Sequence, residues 1–276
     1  MLERKGVKSA NWHITGKCNY KCKFCFSQKL DREVTSLKRA EEILQYLRKM
    51  GMEKINFVGG EPLLHPLIVD IVKSAKGMGF VVSIVSNGYY LNREVIFELS
   101  PFVDWIGLSI DSENEAVEVA LGRGNGGHVK KVLELAEIIH QAGTKLKINT
   151  TVTRLNWRED MRPLIRRLKP DRWKVFQVLH ISGQNDLHFD ELSITDDQFN
   201  YFKSLNQEQI EGFAPIFEGN HEMIASYFML SPSGMAMSNI DGANRTFFPL
   251  VDINHDNISQ ILVVQQYLGR DAIYPW

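Results

Sequence analysis

The chain has 276 residues, of which 44% are hydrophobic, and its 32 Lys and Arg residues oppose 33 Asp and Glu residues for a net charge of −1. This length and apolar content allow one large buried core. The balanced charge excludes a general binder of nucleic acid or of anionic membranes, since both need a broad basic excess. The longest apolar runs are also far too short to span a bilayer.

The first two thirds of the chain alternate short β-rich runs with amphipathic helical stretches. Six strands are predicted: Ala10–Ile14, Lys54–Val58, Phe80–Ser86, Trp105–Ile110, Lys145–Val152 and Trp173–Leu179. Apolar residues at helical spacing predict one helix that ends at Gly51 and another that ends at Gly143, and Pro66 is expected to open a third. Six such units indicate an α/β fold with a parallel sheet, either doubly wound or a partly closed barrel.

All three cysteines, Cys18, Cys22 and Cys25, lie in one eight-residue segment after the first strand. Three thiolates on a short loop can converge on a soft metal centre, and iron favours such ligands. The odd number of cysteines and the lack of any resemblance to a secretory signal peptide argue against disulfides and predict a cytoplasmic protein. Alternatively, His13 could join the three cysteines in a structural zinc site.

The Cys-x3-Cys-x2-Cys spacing resembles the signature of radical S-adenosylmethionine (SAM) enzymes. In that superfamily, three cysteines bind a 4Fe-4S cluster and SAM chelates the open iron. The resemblance also selects the fold, since radical SAM enzymes are built on a curved, partial (βα)6 barrel whose cluster loop follows the first strand. We therefore expect the reactive groups at the carboxyl ends of the strands.

Small and polar residues stand at the ends of successive predicted strands, as this arrangement requires: Gly59, Gly60, Glu61, Ser86, Asn87 and Ser109. Taken singly, each could be a turn residue or a helix cap. Two adjacent glycines after a buried strand allow close approach of the backbone to a ligand. The resemblance implies that Gly-Gly-Glu-Pro receives the amino group of SAM.

Five cations lie on or near the strands and loops that lead to the same barrel mouth: Lys54, Arg123, Lys147, Arg172 and Lys174. Alternation places Lys147 and Asn149 on one face of their strand. Together, five cations could neutralise a polyphosphate with about four negative charges. The glycine-rich segment that contains Arg123 is not a Walker P-loop, because Gly-Lys-Ser/Thr is missing.

Longer strings extend the resemblance: Lys-Ile-Asn-Phe-Val-Gly-Gly-Glu-Pro, Val-Ser-Ile-Val-Ser-Asn-Gly, Arg-Trp-Lys-Val-Phe-Gln and the terminal Tyr-Pro-Trp. They are similar to those of the viperin family, strongly from Asn11 to Gln177 and weakly beyond. Viperins are radical SAM lyases that dehydrate a nucleoside triphosphate to its 3′-deoxy-3′,4′-didehydro form, a chain terminator in antiviral defence. The resemblance implies the same reaction here, with an external one-electron donor of the flavodoxin or ferredoxin type.

Matching positions assign the residues to roles. The three cysteines would hold the cluster, and Gly59 to Glu61, Ser86, Asn87 and Ser109 would lie near SAM. Lys54, Arg123, Lys147, Arg172 and Lys174 would bind the triphosphate, and Asn149 the sugar. Tyr227 matches a tyrosine proposed to donate the closing proton or hydrogen, although an ordinary core tyrosine would give the same pattern.

We expect a radical SAM core over residues 1–182 and a C-terminal extension over residues 183–276 that covers the barrel mouth and closes the nucleotide site. In the extension, Thr195-Asp-Asp-Gln predicts a helix start with a capping box. Because the amphipathic N-terminal helix of animal viperins is missing, we expect a soluble protein, and we also expect a monomer. The lysine-rich loop of the animal proteins is missing too, and the choice among CTP, UTP and GTP stays open. Asp241 could contact the base or be a turn residue.

Two alternatives remain at this point. A radical SAM enzyme of another substrate class would act on a peptide or on a GTP-derived cofactor precursor, but peptide maturases usually carry extra cysteines, which this chain lacks. A zinc-stabilised binding module would use the cysteine loop only for structure. Metal content separates these alternatives, because a four-iron cluster colours the protein brown and zinc does not.

Overall fold

The computed structural model of the protein describes residues 6–210 and 212–270, so that the terminal Tyr-Pro-Trp lies outside the described residues. Its strands are β1 (Ser9–His13), β2 (Lys54–Val58), β3 (Val81–Ser86), β4 (Trp105–Ser109), β5 (Lys145–Val152), β6 (Arg172–Gln177), β7 (Ile216–Glu218), β8 (Met229–Leu230), β9 (Ala236–Ser238) and β10 (Thr246–Phe248). Its helices are α1 (Leu37–Lys49), α2 (Ile68–Gly77), α3 (Arg93–Leu99), α4 (Glu115–Ala120), α5 (His128–Gln141), α6 (Arg162–Leu168), α7 (Asp186–Leu192), α8 (Asp196–Asn206), α9 (Asn220–Met223) and α10 (Val264–Gly269).

The strands form one open sheet in the order β10-β9-β8-β1-β2-β3-β4-β5-β6-β7. Strands β1 to β6 are parallel and follow their order in the chain. A doubly wound sheet reverses its strand order at a switch point. The order of β1 to β6 never reverses, so that the helices cover one face and the sheet curves around the other. The predicted partial (βα)6 barrel is therefore confirmed, and its six predicted strands are right to within two residues at each end.

The two faces of the barrel strands differ in polarity. Along β6, Arg172, Lys174 and Phe176 line the interior, while Trp173 and Val175 are fully buried against the helical layer. Side chains of a strand alternate between faces, so that a single strand supplies both the apolar core and a polar cavity.

The helices begin and end largely where the sequence indicates. Ser36 caps α1 by accepting a hydrogen bond from Arg39 N, and the left-handed Gly51 (φ 80°) follows the helix. Pro66 lies in the turn before α2 rather than in its first turn, because the helix begins at Ile68.

Beyond residue 182 the chain adds strands to both edges of the same sheet. β7 extends it beside β6, and β8 pairs in parallel with β1 and carries the antiparallel β9 and β10. The capping box at Thr195 is confirmed, with reciprocal hydrogen bonds between Thr195 and Gln198. The domain boundary at 182 stays a prediction. Within residues 6–210 and 212–270, no helix has the length and apolarity needed to cross a membrane.

Candidate functional site

A cavity of about 340 Å³ runs from the carboxyl ends of the strands into the barrel interior. The three cysteines line one part of it, and inward side chains of β2, β5 and β6 line another. Among the described residues its lining contains seven Lys and Arg side chains and no Asp or Glu side chain. The two groups that the sequence predicts, thiols and cations, therefore share one cavity, and its charge suits a polyanion.

The cysteine loop is held between two neighbouring segments by backbone hydrogen bonds. Lys23 N donates to Leu121 O at 2.9 Å, and Glu61 N donates to Lys17 O at 2.7 Å. The positions of the thiols are thus set by the end of β2 on one side and by the turn after α4 on the other.

The three thiols are free of disulfides, and Cys18 Sγ accepts a hydrogen bond from Tyr20 N at 3.4 Å. Burial raises the pKa of Cys22 to about 12, against the opposing effect of Arg123. Such thiols give up their protons when a metal binds, and three thiolates suit iron. No group of three or more His, Cys, Asp or Glu side chains in the described part of the chain could hold one metal ion. A four-iron cluster does not need that convergence, since each thiolate binds a different iron.

Gly59 and Gly60 meet the backbone of the cysteine loop. A Cβ added to Gly60 would lie 2.1 Å from Lys17 O, and one added to Gly59 would lie 2.5 Å from Thr15 O. Close approach does require glycine here, as predicted, but the approaching group is the loop that carries the thiols. Both glycines also line the cavity.

Glu61 is fully buried and is not among the residues that line the cavity. Its carboxylate accepts hydrogen bonds from Ser86 Oγ at 2.9 Å and from Asn87 N at 2.8 Å. Burial raises the pKa of Glu61. Glu61 thus fixes Ser86 and Asn87, which do line the cavity together with Ser109.

Arg123 lines the same cavity and lies beside the cysteine loop. Its Nε donates to Asp111 Oδ2 at 2.6 Å, and its guanidinium lies 5.4 Å from the centre of the Phe24 ring. Burial alone would lower the pKa of Arg123, but Asp111, Cys22 and Glu118 raise it above its ordinary value. Its charge therefore acts on the thiols.

The other four predicted cations do come together in the barrel interior: Lys54, Lys147, Arg172 and Lys174. Burial, followed by the charges of its neighbours, lowers the pKa of Lys54 to about 6 and that of Lys147 to about 7. Asn149 lines the same cavity from the inner face of β5, as predicted. Like charges held this close are costly unless an anion binds between them.

Tyr227 also lines the cavity and lies beside this group. Its hydroxyl donates to the carboxylate of Glu218 and accepts a hydrogen bond from Lys174 Nζ at 3.2 Å. The guanidinium of Arg270 lies 3.6 Å from the centre of its ring. Burial raises the pKa of Tyr227 well above its ordinary value, so that the phenol stays neutral.

Several site residues were not predicted, and most of them lie in the extension. Arg245 and Arg270 line the cavity, and Glu218 lies behind it. The strands there are two or three residues long, which leaves no periodicity to read. On β1 and β2, Asn11 and Asn56 also line the cavity and hydrogen-bond to each other at 2.8 Å. Strand alternation could have identified that pair.

The sequence left the roles of two residues open, Asp241 and His13. Asp241 is exposed and is not among the residues that line the cavity, which agrees with a turn residue. His13 lines the cavity, and burial lowers its pKa to about 3, which keeps the imidazole neutral.

Comparison with known proteins gives two agreeing results. Residues 12–168 match the model of the radical SAM superfamily. An S-adenosylmethionine-dependent nucleotide dehydratase of Thermoplasmatales archaeon (strain ISO4-H5) is 39% identical to the chain, covering 98% of it and 96% of that protein. The chain belongs to this radical SAM family. That membership confirms the viperin-like resemblance and excludes the zinc-stabilised module.

Other members of the family are similar over almost the whole chain. The S-adenosylmethionine-dependent nucleotide dehydratase of Flammeovirga pacifica is 35% identical over 98% of this chain and 96% of its own length. The protein named S-adenosylmethionine-dependent nucleotide dehydratase RSAD2 of Oncorhynchus mykiss is 31% identical over 97% of this chain and 80% of its own length.

Two solved structures share the fold of this family member. Streptococcus suis SuiB bound to S-adenosylmethionine superimposes with a TM-score of 0.71 at 17% identity, covering 96% of this chain and 67% of that one. Native anSMEcpe with bound AdoMet superimposes with a TM-score of 0.66 at 14% identity, covering 96% of this chain and 82% of that one. At these identities the likeness concerns the fold alone.

Proposed function

We propose that the protein is a radical SAM lyase that converts CTP, UTP or GTP into its 3′-deoxy-3′,4′-didehydro analogue. The observation that carries this proposal is that the four buried cations of β2, β5 and β6 share one cavity with the three cysteines. The cationic part suits a triphosphate and the thiol part suits a radical-generating cofactor, which leaves the sugar between them. The names of the similar proteins support the same reaction.

The three cysteines would hold a 4Fe-4S cluster, and the residues facing SAM would be Gly59, Gly60, Ser86, Asn87 and Ser109. When bound, the two cofactors would supply removal of the hydrogen atom at C4′ of the ribose, with 5′-deoxyadenosine as the by-product. Arg123 would offset the negative charge of the thiolates, because it lies beside Cys22.

The protein itself fixes the nucleotide and keeps competing hydrogen donors away from the radical. Lys54, Lys147, Arg172 and Lys174 form the triphosphate clamp, which Arg270 joins from the extension, and Asn149 contacts the sugar. Tyr227, whose hydroxyl accepts a hydrogen bond from Lys174, would assist the final proton or hydrogen transfer. After C4′ loses its hydrogen atom, the sugar radical takes up one proton and one electron and releases its 3′-hydroxyl as water. The electron comes from an external donor of the flavodoxin or ferredoxin type.

The charge of the cavity favours this substrate over the other radical SAM classes. Seven cations and no carboxylate among the described lining residues suit a polyphosphate better than a peptide. We also propose that the protein is cytoplasmic, since that compartment keeps the three thiols reduced. We further propose that it is a monomer and that its product is a chain terminator in antiviral defence.

The test is an anaerobic assay of the reconstituted, reduced protein with SAM and with CTP, UTP, GTP or ATP in turn. Mass spectrometry should find a nucleotide product lighter by one water from at least one of the first three nucleotides, which also identifies the base. Cleavage of SAM at the same rate whichever nucleotide is present would reject the substrate.

A further inference from the structure

Glu218, the last residue of β7, contacts the clamp from behind the cavity wall. It is 1% exposed and is not among the residues that line the cavity. Three side chains that do line the cavity converge on it: Lys174 forms an ion pair with the carboxylate, Tyr227 donates its hydroxyl hydrogen to it, and Arg270 Nη1 lies 3.9 Å away.

The charge on Glu218 follows from these neighbours. Burial alone would raise the pKa of Glu218, but Lys174 and Arg270 outweigh it and lower the pKa below its ordinary value. The carboxylate is therefore ionised at neutral pH. Burial lowers the pKa of Lys174 to about 8, and Glu218 is the group that most opposes this decrease.

The charges of the clamp balance those of the ligand only when Glu218 is counted. When a bound anion keeps all three lysines protonated, the five cations Lys54, Lys147, Arg172, Lys174 and Arg270 less one carboxylate leave four positive charges. A nucleoside triphosphate carries about four negative charges. Glu218 thus sets the net charge of the clamp as well as the position of Lys174.

We propose that Glu218 is a positioning residue of the triphosphate clamp, which holds Lys174 as a cation and fixes the hydroxyl of Tyr227 without touching the nucleotide. The inference rests on the proposed function, since it assumes that the clamp binds a triphosphate. Glu218 accepts the only hydrogen of the Tyr227 hydroxyl, so that Tyr227 can pass this hydrogen to a ligand only after its hydrogen bond to Glu218 breaks.

The charged groups around Lys174 make its titration a specific readout. Arg172 on β6, Lys147 on β5, Lys54 on β2 and Arg270 after α10 surround it with positive charge, and Tyr227 is neutral. Glu218 is the carboxylate in contact with it. Removing that negative charge should therefore let Lys174 lose its proton at a lower pH.

The experiment measures binding of inorganic tripolyphosphate by calorimetry, from about pH 6 to about pH 9, to the wild type and to Glu218→Gln. At about pH 6 the variant should bind as tightly as the wild type or more tightly, because one repulsive charge is gone. At about pH 8 its Kd should be about tenfold higher than that of the wild type, because Lys174 is then neutral. Glu218→Asp, which keeps the charge, should recover most of the lost affinity.

Two controls make the result specific. Glu222→Gln removes an exposed carboxylate four residues away and should follow the wild-type curve at every pH. In a Lys174→Met background, Glu218→Gln should produce no further pH shift, because the titrating group is gone. If the Kd of Glu218→Gln equals that of the wild type at every pH, or is higher by the same factor at every pH, the inference is overturned and the clamp is left intact. If the wild type binds no tripolyphosphate at any pH, both the inference about Glu218 and the proposed triphosphate clamp are overturned.

A second measurement needs no Glu218 variant and so does not depend on its folding. In protein labelled with ¹³C-lysine, the signal that disappears in Lys174→Met should titrate with a pKa of about 8 and move to a higher pH when tripolyphosphate is added. A signal that titrates at the ordinary lysine pKa in the free protein would also overturn the inference.

Discussion

Gly60 lies so close to the backbone of Lys17 that a Cβ on Gly60 would be 2.1 Å from the carbonyl oxygen of Lys17. This contact joins the end of β2 to the loop that carries the three cysteines. The same strand begins with Lys54, a member of the clamp. One short strand therefore positions both the thiols and a cation that lies deeper in the cavity.

Replacing Gly60 should disturb the metal centre before it disturbs the fold. In Gly60→Ala the added methyl group must push the Lys17 backbone away, because a Cβ cannot approach a backbone atom so closely. We expect the iron bound per chain after anaerobic reconstitution to fall to less than about half of the wild-type value, with unchanged circular dichroism. Gly77→Ala is the matched control, since its Cβ would meet nothing within 4 Å. Full iron loading of Gly60→Ala would refute the role of this contact.

Arg172 and Arg123 should affect different properties when each is replaced. Arg172→Ala should raise the Kd of the nucleoside triphosphate by about tenfold to a hundredfold, or ~1.5–3 kcal/mol, because it removes a charged hydrogen-bond donor from the clamp. Its iron content should stay unchanged. Arg123→Ala should leave the Kd within about threefold and lower the iron content, because Arg123 faces Cys22. An equal loss of nucleotide affinity in both variants would place Arg123 in the clamp after all.

Nucleotide binding should be accompanied by proton uptake. In the free protein the pKa values of Lys54, Lys147 and Lys174 are lowered to about 6, 7 and 8, so that they lose protons as the pH rises through this range. A bound triphosphate restores their charge, and affinity must therefore fall as the pH rises. Calorimetry in two buffers of different ionisation enthalpy should give uptake of at least about one proton at about pH 7.5. Lys130→Met, which removes an exposed lysine, should leave the number of protons taken up unchanged. Nucleotide binding without proton uptake would contradict the proposed clamp.

The clamp should lower the stability of the unliganded protein at acidic pH. A lysine whose pKa is lower in the folded state than in the unfolded state binds fewer protons when the protein is folded. Its contribution to the unfolding free energy therefore increases as the pH rises from the folded-state pKa to the unfolded-state pKa. For Lys147 that range begins at about pH 7. Lys147→Met should raise the Tm by about 2–4 °C, or ~1 kcal/mol, at about pH 6, and by less at about pH 9. A lower Tm at both pH values would contradict this account.

Much of the fold could be predicted from the sequence because short-range sequence patterns specify its strands, helix ends and caps. The apolar runs of β1 to β6, the glycines after α1 and α5 and the Thr195 capping box each depend on interactions between residues close in the chain. The cysteine spacing identified the superfamily for the same reason. Lys147 and Asn149 could be placed on one inner face by strand alternation alone.

The parts of the site that depend on tertiary contacts could not be predicted in this way. Arg123 sits in a loop whose path is set by its packing against the cysteine loop, and no local pattern tells which end of the cavity it reaches. Glu218 and Arg270 belong to short elements without periodicity, yet they complete the charge of the clamp. Glu61 resembles a ligand-binding residue in sequence but holds the ends of two strands together.

The fate of the hydrogen at C4′ of the ribose tests the proposed dehydration most directly. The reconstituted protein should be incubated anaerobically with SAM, a reductant and the accepted nucleoside triphosphate carrying deuterium at C4′. The proposed reaction should yield 5′-deoxyadenosine that contains one deuterium, formed together with a nucleotide product that has lost water. Unlabelled 5′-deoxyadenosine formed at the same rate with and without the nucleotide would contradict it.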